Sequence, residues 1–344
     1  MDNMKVAMYY SNSDIRTEEM PVPKTGPGEL LVKVMASGIC GSDMMEWYRI
    51  KKAPLVLGHE IAGEVAAVGR GVKGYRKGDR IVATHHVPCN GCRYCRDGSE
   101  TMCDTLRTTK FFPGGFAEYL GLPEINVKNG TLHLPEGISY EEGTFVEPLA
   151  CVFRGQIAAD VKKGHTVLVL GSGISGLLHI QLAKENGAGR IIATDVSDYR
   201  LKAAKKFGAD VALNAREDVP KKVMEHNEDR LADRVIVCTG SPSAMRQALQ
   251  SVDRGGTVLF FAPTQPGVQI PISVDELWKN GISLVTSYAA AKKDMEEALR
   301  LIGEKKINVK DMITHRLSLE ETGKGFRLAS SAEGCIKVII RPHG

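Results

Sequence analysis

One short glycine-rich segment limits the fold of this chain more than any other feature of its sequence. Gly171-Ser-Gly173-Ile-Ser-Gly176 follows the apolar run 166–170 and precedes a segment with helical periodicity. In such a strand–turn–helix unit the first glycine allows a tight turn, and the second lets the backbone approach a pyrophosphate. The third allows the helix to pack closely on the strand. The pattern predicts a dinucleotide site, although a purely structural turn can contain the same glycines.

An acidic residue further along supports the dinucleotide prediction. Asp195 ends the next predicted strand, about 20 residues after the glycines, where the ribose hydroxyls of a dinucleotide are expected. Its carboxylate accepts bonds from these hydroxyls and would repel a 2′-phosphate, so we expect NAD rather than NADP, with Arg200 flanking the adenosine. The predicted cofactor-binding residues are Gly171, Gly173, Ile174, Ser175, Gly176, Asp195 and Arg200.

The segment around the glycines alternates apolar strands with helices. Strands are predicted at 166–170, 190–194, 234–238 and 257–261, and helices follow near 174, at 199–207 and at 242–252. Continuous apolar strands in alternation with helices are typical of a doubly wound parallel sheet. The predicted fold class is therefore α/β, with this sheet in residues 156–291.

The first 155 residues have a different texture. They are rich in glycine, proline and β-branched residues, and short strands are predicted at 29–36, 61–68 and 80–83. This pattern indicates a small β-barrel-like domain. A helix at 293–303 and a strand at 336–340 are expected to return to it, so that residues 1–155 and 292–344 form one domain.

Composition excludes several classes of function. With 344 residues the chain is long enough for two domains, and its net charge of +4 comes from interleaved acidic and basic residues. We therefore expect no nucleic-acid partner. No apolar run reaches the length that crosses a membrane, and the first residues lack the apolar region of a secretory signal. A cytoplasmic location is expected, where the eight cysteines would be reduced.

Four of the cysteines lie close together in the sequence. Cys89, Cys92, Cys95 and Cys103 form a Cys-x2-Cys-x2-Cys-x7-Cys lobe at 89–103. Four thiolates in so short a loop can close a tetrahedron around zinc and leave no open position for a substrate. On their own they are equally compatible with an iron–sulfur cluster, a redox relay or free thiols.

A second group of metal-ligand residues is dispersed. Cys40 lies in the sequence Cys-Gly-Ser-Asp, His59 and Glu60 follow Gly58, and Glu147 precedes Pro148. Taken singly, these residues are compatible with a buried thiol, a core histidine and surface acids. Together they supply the mixed ligands of a catalytic zinc with an exchangeable position.

These motifs give the chain a family resemblance over its full length. The sequence Gly58-His-Glu-Ile-Ala-Gly63, Gly69, Gly78-Asp79, the four-cysteine lobe and the glycine turn occur in the order and spacing of the zinc-containing medium-chain alcohol dehydrogenases. Within that family the chain most resembles the sorbitol (polyol) and threonine dehydrogenase branch. The sequences Cys-Gly-Ser-Asp, Gly-His-Glu and Glu-Pro-Leu-Ala carry this closer match.

The resemblance implies a fold and two metal sites. The fold would be a GroES-like, β-rich catalytic domain together with a Rossmann domain. Cys40 and His59 would bind the catalytic zinc, and Glu60 and Glu147 would complete its coordination directly or through water. The four-cysteine lobe would hold a second, structural zinc.

The resemblance also implies a reaction. The zinc would stabilise the alkoxide of a small-molecule alcohol, a secondary alcohol of a polyol, cyclitol or sugar derivative, while NAD accepts the hydride and a ketone forms. Asp43 would orient His59, and Ser42 would relay the substrate proton.

Some positions depart from the pattern of the polyol enzymes. Met45 replaces a histidine, Glu46 an aromatic residue, Arg154 a histidine, and Ser287, next to Tyr288, an arginine. These changes are compatible with drift on the rim of the site or with a polar substrate other than sorbitol, such as a cyclitol, an amino sugar, a sugar acid or a sugar phosphate. Arg154 favours an anionic group and Glu46 a cationic or hydroxyl-rich one, unless the two pair with each other.

Three alternatives remain open from the sequence. The first is an L-threonine 3-dehydrogenase, which would need groups for both an ammonium and a carboxylate. The second is a non-catalytic NAD-binding member with a structural or regulatory role, and the third is a zinc-free quinone or enoyl reductase. Intact zinc ligands argue against the last two. A homodimer or homotetramer is expected, because relatives pair their Rossmann sheets through the last strand, here 281–286.

Overall fold

The computed structural model describes residues 3–331 and 333–344, and the contacts between them divide the chain into two units. The first unit contains the chain up to Ala150 together with Ala289–Lys305 and Val309–Gly344, and the second contains Cys151–Tyr288 and Lys306–Asn308. The divisions at 150/151 and 288/289 differ by a few residues from the sequence-based boundaries at 155/156 and 291/292. The first one falls inside a continuous helix, Val146–Ala158, so no loop signal marks it.

The strands, in chain order, are β1 (Asn3–Ser11), β2 (Asp14–Pro21), β3 (Leu30–Gly38), β4 (Leu55–Val56), β5 (Glu60–Val68), β6 (Arg80–Ala83), β7 (Tyr119–Leu122), β8 (Thr131–His133), β9 (Thr166–Leu170), β10 (Arg190–Asp195), β11 (Val211–Asn214), β12 (Ala232–Val237), β13 (Val252–Phe260), β14 (Ser283–Thr286), β15 (Ile313–Ser318) and β16 (Lys337–Arg341).

The α-helices are α1 (Glu46–Arg49), α2 (Arg93–Arg96), α3 (Asp104–Thr108), α4 (Glu124–Gly130), α5 (Tyr140–Gly143), α6 (Val146–Ala158), α7 (Ile174–Glu185), α8 (Asp198–Lys206), α9 (Val219–Glu225), α10 (Pro242–Ser251), α11 (Val274–Asn280), α12 (Lys292–Gly303) and α13 (Thr322–Ser331). Short 3-10 turns lie at Gly41–Met44, Ile50–Lys52, Glu100–Met102, Lys310–Met312 and Leu319–Glu321. None of the helices in the described part of the chain has the length and apolar character needed to span a membrane.

The second unit is built on a six-stranded parallel sheet. Its strand order is β11-β10-β9-β12-β13-β14, and every neighbouring pair is parallel. Strand β9 is buried along its whole length, as expected for a continuous apolar run in the centre of such a sheet. This arrangement confirms the predicted doubly wound α/β architecture.

Strand β13 begins five residues earlier than the sequence predicts. Its pairing with β12 shifts between Ala232↔Val252 and Arg234↔Thr257, so the intervening residues form an irregular bulge. Two adjacent glycines are typical of a turn, so Gly255 and Gly256 led us to predict that the strand starts after them.

The first unit is rich in antiparallel strands. A seven-stranded sheet has the order β15-β16-β3-β5-β6-β8, with β7 also paired to β3, and a three-stranded sheet has the order β2-β1-β4. Two apolar clusters fill this unit, one around Phe116 and Phe326 and one around Val32 and Ile81. The β-rich character confirms the predicted fold class of the first domain.

Candidate active site

The register of two strands brings distant residues together in the first unit. In the antiparallel pair β3–β5, Gly38 lies opposite Glu60. The chain therefore leaves β3 toward Cys40 at the same point where His59 leads into β5. Strand β16 lies on the other side of β3, with Ile339 opposite Gly38. Residues about 20 and about 300 positions apart in the sequence thus meet at one end of the sheet.

Three ligand atoms meet at this place. A search of the described residues finds Cys40, His59 and Glu60 as one group. One ligand atom from each lies within 4.8 Å of the other two. His59 and Glu60 are buried. A thiolate, an imidazole and a carboxylate are the mixed donors that zinc takes at sites with an exchangeable position.

One atom of the group shows that a cation fits here. Oε1 of Glu60 is buried and has no hydrogen-bond partner within residues 3–331 and 333–344. A buried carboxylate oxygen without a partner is costly unless a cation completes it. Oε2 is paired with Nζ of Lys337, which also donates to the carbonyl of Ile39 at 3.1 Å. A side chain at Gly38 would overlap this ion pair, so only glycine fits there.

Asp43 connects the zinc-ligand candidates. Its Oδ2 accepts the backbone N–H of Cys40 at 3.1 Å, and its Oδ1 lies 3.3 Å from Nδ1 of His59. Burial opposes the charged form of His59, but the negative charges of Asp43 and Cys40 outweigh it and raise the pKa of His59 well above 6.5. Burial alone would raise the pKa of Asp43, but the charges of His59 and Arg49 outweigh it and lower this pKa below its usual value. This surrounding favours a cation.

The hydroxyl of Ser42 lies beside the thiol. Ser42 Oγ donates to Cys40 Sγ at 3.4 Å, and the N–H of Ser42 also donates to that sulfur at 3.4 Å. Arg49 reaches back from the end of α1 and donates to both the carbonyl and the hydroxyl of Ser42, at 3.0 and 3.2 Å. The hydroxyl is therefore held in a fixed direction.

Two histidines follow β6 next to this group. The rings of His59 and His85 are 4.7 Å apart, and those of His85 and His86 are 3.8 Å apart. Burial, aided by the positive charges nearby, lowers the pKa of His85 well below 6.5 and that of His86 to about 4. Both rings are neutral at pH 7 and can accept or donate hydrogen bonds.

The four-cysteine lobe forms a second cluster in the same unit. One sulfur from each of Cys89, Cys92, Cys95 and Cys103 lies within 4.8 Å of the others. The Cys92–Cys95 and Cys89–Cys103 sulfurs are 3.5 and 3.6 Å apart. A tetrahedral ion with zinc–sulfur bonds of about 2.3 Å places its sulfurs about 3.8 Å apart. The cluster therefore has the dimensions of a closed zinc site.

The thiols of this cluster differ in acidity. Burial opposes ionisation of Cys103, but the N–H groups of Cys89 and Leu106 lower its pKa to about 6. Burial and the thiols of Cys92 and Cys103 raise the pKa of Cys95 to about 12. Four thiolates cannot share so small a volume unless a metal ion neutralises them.

The glycine turn in the second unit fits a dinucleotide. Gly171 has a φ of +95°, and a side chain on Gly176 would collide with the carbonyl of Gly171. Gly173 precedes α7, where no side chain caps the first N–H groups. The Asp195 carboxylate accepts the N–H groups of Ser172 and Ser197, at 2.8 and 2.9 Å. Free N–H groups at a helix start are suited to a pyrophosphate.

Arg200 lies over the same turn. Its guanidinium is 3.8–3.9 Å from the place where a side-chain carbon on Gly173 would lie. Its Nε is buried without a hydrogen-bond partner in the part of the chain that the structure describes. Ile174 and Ser175 form the first turn of α7. The predicted cofactor-binding residues therefore surround one turn, with a donor left for a ligand.

The other predicted site residues are placed differently. Glu147 lies in the first turn of α6 and is not one of the three residues whose ligand atoms lie within 4.8 Å of one another. Glu46 accepts the N–H of Asn12 at 2.9 Å, so its carboxylate is directed to the β1–β2 hairpin. Met45 is the N-cap of α1. Two predicted substrate residues belong to the second unit, Arg154 on α6 and Tyr288 after β14.

The chain is similar to known proteins in both of its units. Residues 26–133 match the alcohol dehydrogenase GroES-like domain family, and residues 175–304 match the zinc-binding dehydrogenase family. The chain is 33% identical to the sorbitol dehydrogenase of Bacillus subtilis (strain 168), over 99% of this chain and 98% of the relative. The chain belongs to the zinc-containing medium-chain alcohol dehydrogenases.

Further relatives place it within this family. It is 37% identical to the L-threonine 3-dehydrogenase of Pyrococcus abyssi, over 87% of this chain and 86% of the relative. A zinc-binding dehydrogenase from Sinorhizobium meliloti 1021, solved with bound NADP, superposes with a TM-score of 0.88 at 29% identity, covering 99% of this chain and 100% of that one. The chain is thus a member of the sorbitol and threonine branch. It is an NAD-dependent alcohol dehydrogenase with zinc as its metal cofactor.

Sequence reasoning missed four residues in or next to this candidate site. Lys337 lies in an otherwise apolar strand and is buried. A lysine in such a strand needs a partner when buried, and this could have identified it from the sequence. His85 and His86 form a histidine pair just before the first cysteine of the lobe. Nothing in the sequence indicates a role for Arg49, because its contacts with Ser42 depend on how the turn after β3 folds.

Proposed function

We propose that Cys40, His59 and Glu60 bind the catalytic zinc, and that the enzyme oxidises a secondary alcohol of a polyol, cyclitol or sugar derivative to a ketone. The observation that supports this most directly is the convergence of their ligand atoms within 4.8 Å. Zinc bound there would lower the pKa of a coordinated hydroxyl and stabilise its negative oxygen during hydride transfer to NAD.

The neighbouring residues have separate tasks in this proposal. Asp43 lies 3.3 Å from Nδ1 of His59 and would leave the other imidazole nitrogen for a metal ion. Lys337 fixes one oxygen of Glu60 and leaves the other for the metal site. Ser42, held beside Cys40 at 3.4 Å, accepts the hydroxyl proton of the substrate at Oγ. Since Met45 cannot take up a proton, the proton continues from Ser42 to water or to the cofactor ribose.

Metal analysis and turnover test the catalytic site together. The purified enzyme should contain two zinc ions per chain and produce NADH from a polyol. His59→Ala should lose one zinc ion and turnover, while NAD binding measured by calorimetry stays close to the wild-type value. Turnover near the wild-type rate in a His59→Ala protein with a single zinc ion would contradict the proposal.

The preference for NAD rests on Asp195. Its buried carboxylate is held by two backbone N–H groups and would repel a 2′-phosphate. Asp195→Ala should therefore reduce the ratio of kcat/KM for NAD to that for NADP by about 10-fold or more, since one ribose hydrogen bond to a charged group is worth about 1.5–3 kcal/mol. Asp198→Ala, three residues further on in α8, is the matched control. An unchanged ratio in Asp195→Ala would refute the assignment.

The substrate is a polar alcohol in our proposal. The sorbitol dehydrogenase relative supports a polyol, whereas Met45, Glu46 and Arg154 depart from the polyol pattern. A panel of polyols, cyclitols, sugar acids and sugar phosphates, assayed by NADH formation, should show its highest kcat/KM for one of these classes. A preference for ethanol-like alcohols would overturn this part of the proposal.

L-Threonine is the second candidate substrate. The observation in its favour is the 37% identity to an L-threonine 3-dehydrogenase over 314 residues. L-Threonine belongs in the same panel, with L-serine as a control that lacks the secondary alcohol. A higher kcat/KM for L-threonine than for every polyol would decide for this candidate.

We also propose that two copies pair through the second unit. Strand β14 is an edge of the six-stranded sheet, and Trp278 and Val274 on the preceding helix α11 are 80% and 70% exposed. An exposed tryptophan beside an open strand edge is typical of an interface. Light scattering should give a dimer or a tetramer, and Trp278→Glu should shift the mass toward the monomer.

The division of labour follows the two units. Both metal clusters lie in the first unit and the glycine turn lies in the second, so we propose that the first is the catalytic domain and the second the NAD-binding domain. A cytoplasmic location is in keeping with eight cysteines that are not joined in disulfides, because a reducing compartment keeps metal-binding thiols available. Fractionation of cells expressing the chain would test it.

A further inference from the structure

Arg49 makes an unusual set of contacts for a residue at the end of a short helix. Its Nε donates to the carbonyl of Ser42 at 3.0 Å, and its Nη2 donates to the hydroxyl of the same residue at 3.2 Å. Nη2 also lies 3.6 Å from Oδ1 of Asp43. The side chain is only 14% exposed, and its guanidinium lies 4.9 Å from the ring centre of Tyr48.

The two residues that Arg49 holds are those that touch the metal-ligand candidates. Ser42 Oγ donates to the sulfur of Cys40. Asp43 accepts the N–H of Cys40 and lies 3.3 Å from the imidazole of His59. Asp43 is fully buried, and a buried carboxylate needs positive charge or hydrogen bonds around it. Arg49 supplies a permanent positive charge on one side of it.

The shape of the side chain explains why an arginine stands here. Two of its N–H groups point in parallel and reach two acceptors of one residue, the carbonyl and the hydroxyl of Ser42. An ammonium group would reach only one of them well. A guanidinium has N–H donors and no acceptor, so it can orient the hydroxyl but cannot accept a hydrogen bond from it.

We infer that Arg49 is a positioning residue of the dehydrogenase site, which fixes the Ser42 hydroxyl and the Asp43 carboxylate against Cys40 and His59. The inference rests on the proposed function for its effect on turnover, and on the geometry alone for its effect on the metal site. The role that we assign to Arg49 is positioning and not substrate anchoring, since its Nε and Nη2 contact Ser42 and Asp43.

Two variants test this role. Arg49→Met removes the charge and both hydrogen bonds, and Arg49→Lys keeps the charge but loses the paired geometry. We expect kcat to fall about 10- to 100-fold in Arg49→Met, as for residues that orient metal ligands, with a smaller loss in Arg49→Lys. The KM for NAD should stay within about twofold, because the loss concerns a step after cofactor binding.

A metal readout separates this inference from the proposed function. Zinc affinity at the first site, measured by competition with a chelator, should fall about 10-fold in Arg49→Met. The absorption spectrum of the cobalt-substituted protein should also shift. Arg16→Met is the matched control, since Arg16 pairs with Asp14 on an exposed hairpin, and it should leave kcat, zinc affinity and spectrum unchanged.

Each outcome decides the inference. If the wild-type protein oxidises none of the alcohols tested, the proposed function fails while the zinc-affinity measurement still tests Arg49. Wild-type zinc affinity and kcat in Arg49→Met would overturn the inference. A loss seen only as a raised KM for anionic alcohols would overturn it too, because that pattern describes a substrate anchor. If Arg49→Met does not fold, the cobalt spectrum of the conservative Arg49→Lys variant decides, and an unchanged spectrum overturns it.

Discussion

At the scale of single residues, a buried ion pair joins the proposed zinc ligand Glu60 to Lys337. The two side chains are 1% and 0% exposed, although 277 positions separate them in the sequence. Removing one partner of a buried pair leaves the other charge uncompensated in a medium that solvates it poorly. The same lysine therefore contributes to stability and to the orientation of a proposed zinc ligand.

Lys337→Met should accordingly destabilise the protein and disturb the metal site. We expect the free energy of unfolding to fall by about 3–5 kcal/mol, measured by chemical denaturation, with weaker zinc binding at the first site. Lys5→Met is the matched control, because Lys5 pairs with Glu320 at an exposed position, and it should change stability little. A Lys337→Met protein as stable as the Lys5→Met protein would contradict this reading of the pair.

Residues differ in how far the sequence could reveal them. Cys40, His59 and Glu60 stand in short motifs whose residue types are typical of metal ligands, so they could be named before the structure was known. Lys337 and Arg49 act through contacts that arise only when β3, β5, β16 and the turn after β3 are assembled. The assignment of Glu46 to the substrate stays a prediction; its Oε1 accepts the N–H of Asn12, a contact between residues 34 positions apart that the sequence does not indicate.

At the scale of elements, the sequence predicts strands best where they are buried on both sides. The predicted strand 166–170 coincides with β9, whose side chains are all buried. The start of strand β13 was predicted five residues too late, because a bulge containing two glycines interrupts its pairing with β12. Alternating polar residues and glycines carry little information about pairing, since that depends on the partner strand.

Ion pairs connect helix α5 to the C-terminal strands β15 and β16. Glu141 on α5 pairs with Arg316 on β15 and with Arg341 on β16. Burial raises the pKa of Glu141, but the hydrogen bonds and charges of the two arginines outweigh it and hold the pKa below 4.5. A carboxyl group with a lowered pKa stabilises the fold above its unfolded-state value, and this stabilisation is lost as the pH falls through the folded-state value.

Glu141→Gln should therefore lower the Tm at neutral pH and reduce the loss of Tm on acidification below about pH 4.5. Because both arginines are 40% exposed, solvent screens the pairs, and we expect an effect of about 1 kcal/mol or less. Thermal unfolding followed by circular dichroism between neutral and acidic pH measures it. An identical pH profile for wild type and Glu141→Gln would show that the arginines do not stabilise the ionised carboxyl.

At the scale of the whole molecule, the chain places its chemistry in two units that are not equally continuous in sequence. The second unit is nearly one segment, whereas the first is assembled from three. The last of these supplies β16, whose Lys337 pairs with the proposed zinc ligand Glu60. The alternation of strands and helices indicated the second unit from sequence. The exact division could not be predicted, because one continuous helix, α6, crosses it.

The two metal clusters of the first unit should separate cleanly when their ligands are replaced one at a time. Cys92→Ser removes one of the four sulfurs that could hold a metal ion in this cluster. Since a closed zinc site contributes to folding, we expect one zinc ion per chain and a Tm lower by about 5–10 °C in Cys92→Ser.

Cys40→Ser removes a proposed ligand of the open site, so turnover should be lost while the Tm stays within about 2 °C of wild type. Metal analysis, thermal unfolding and NADH formation on the same preparations measure all three effects. A Cys92→Ser protein with unchanged Tm, or a Cys40→Ser protein with undiminished turnover, would show that the two clusters do not divide structural and catalytic roles in this way.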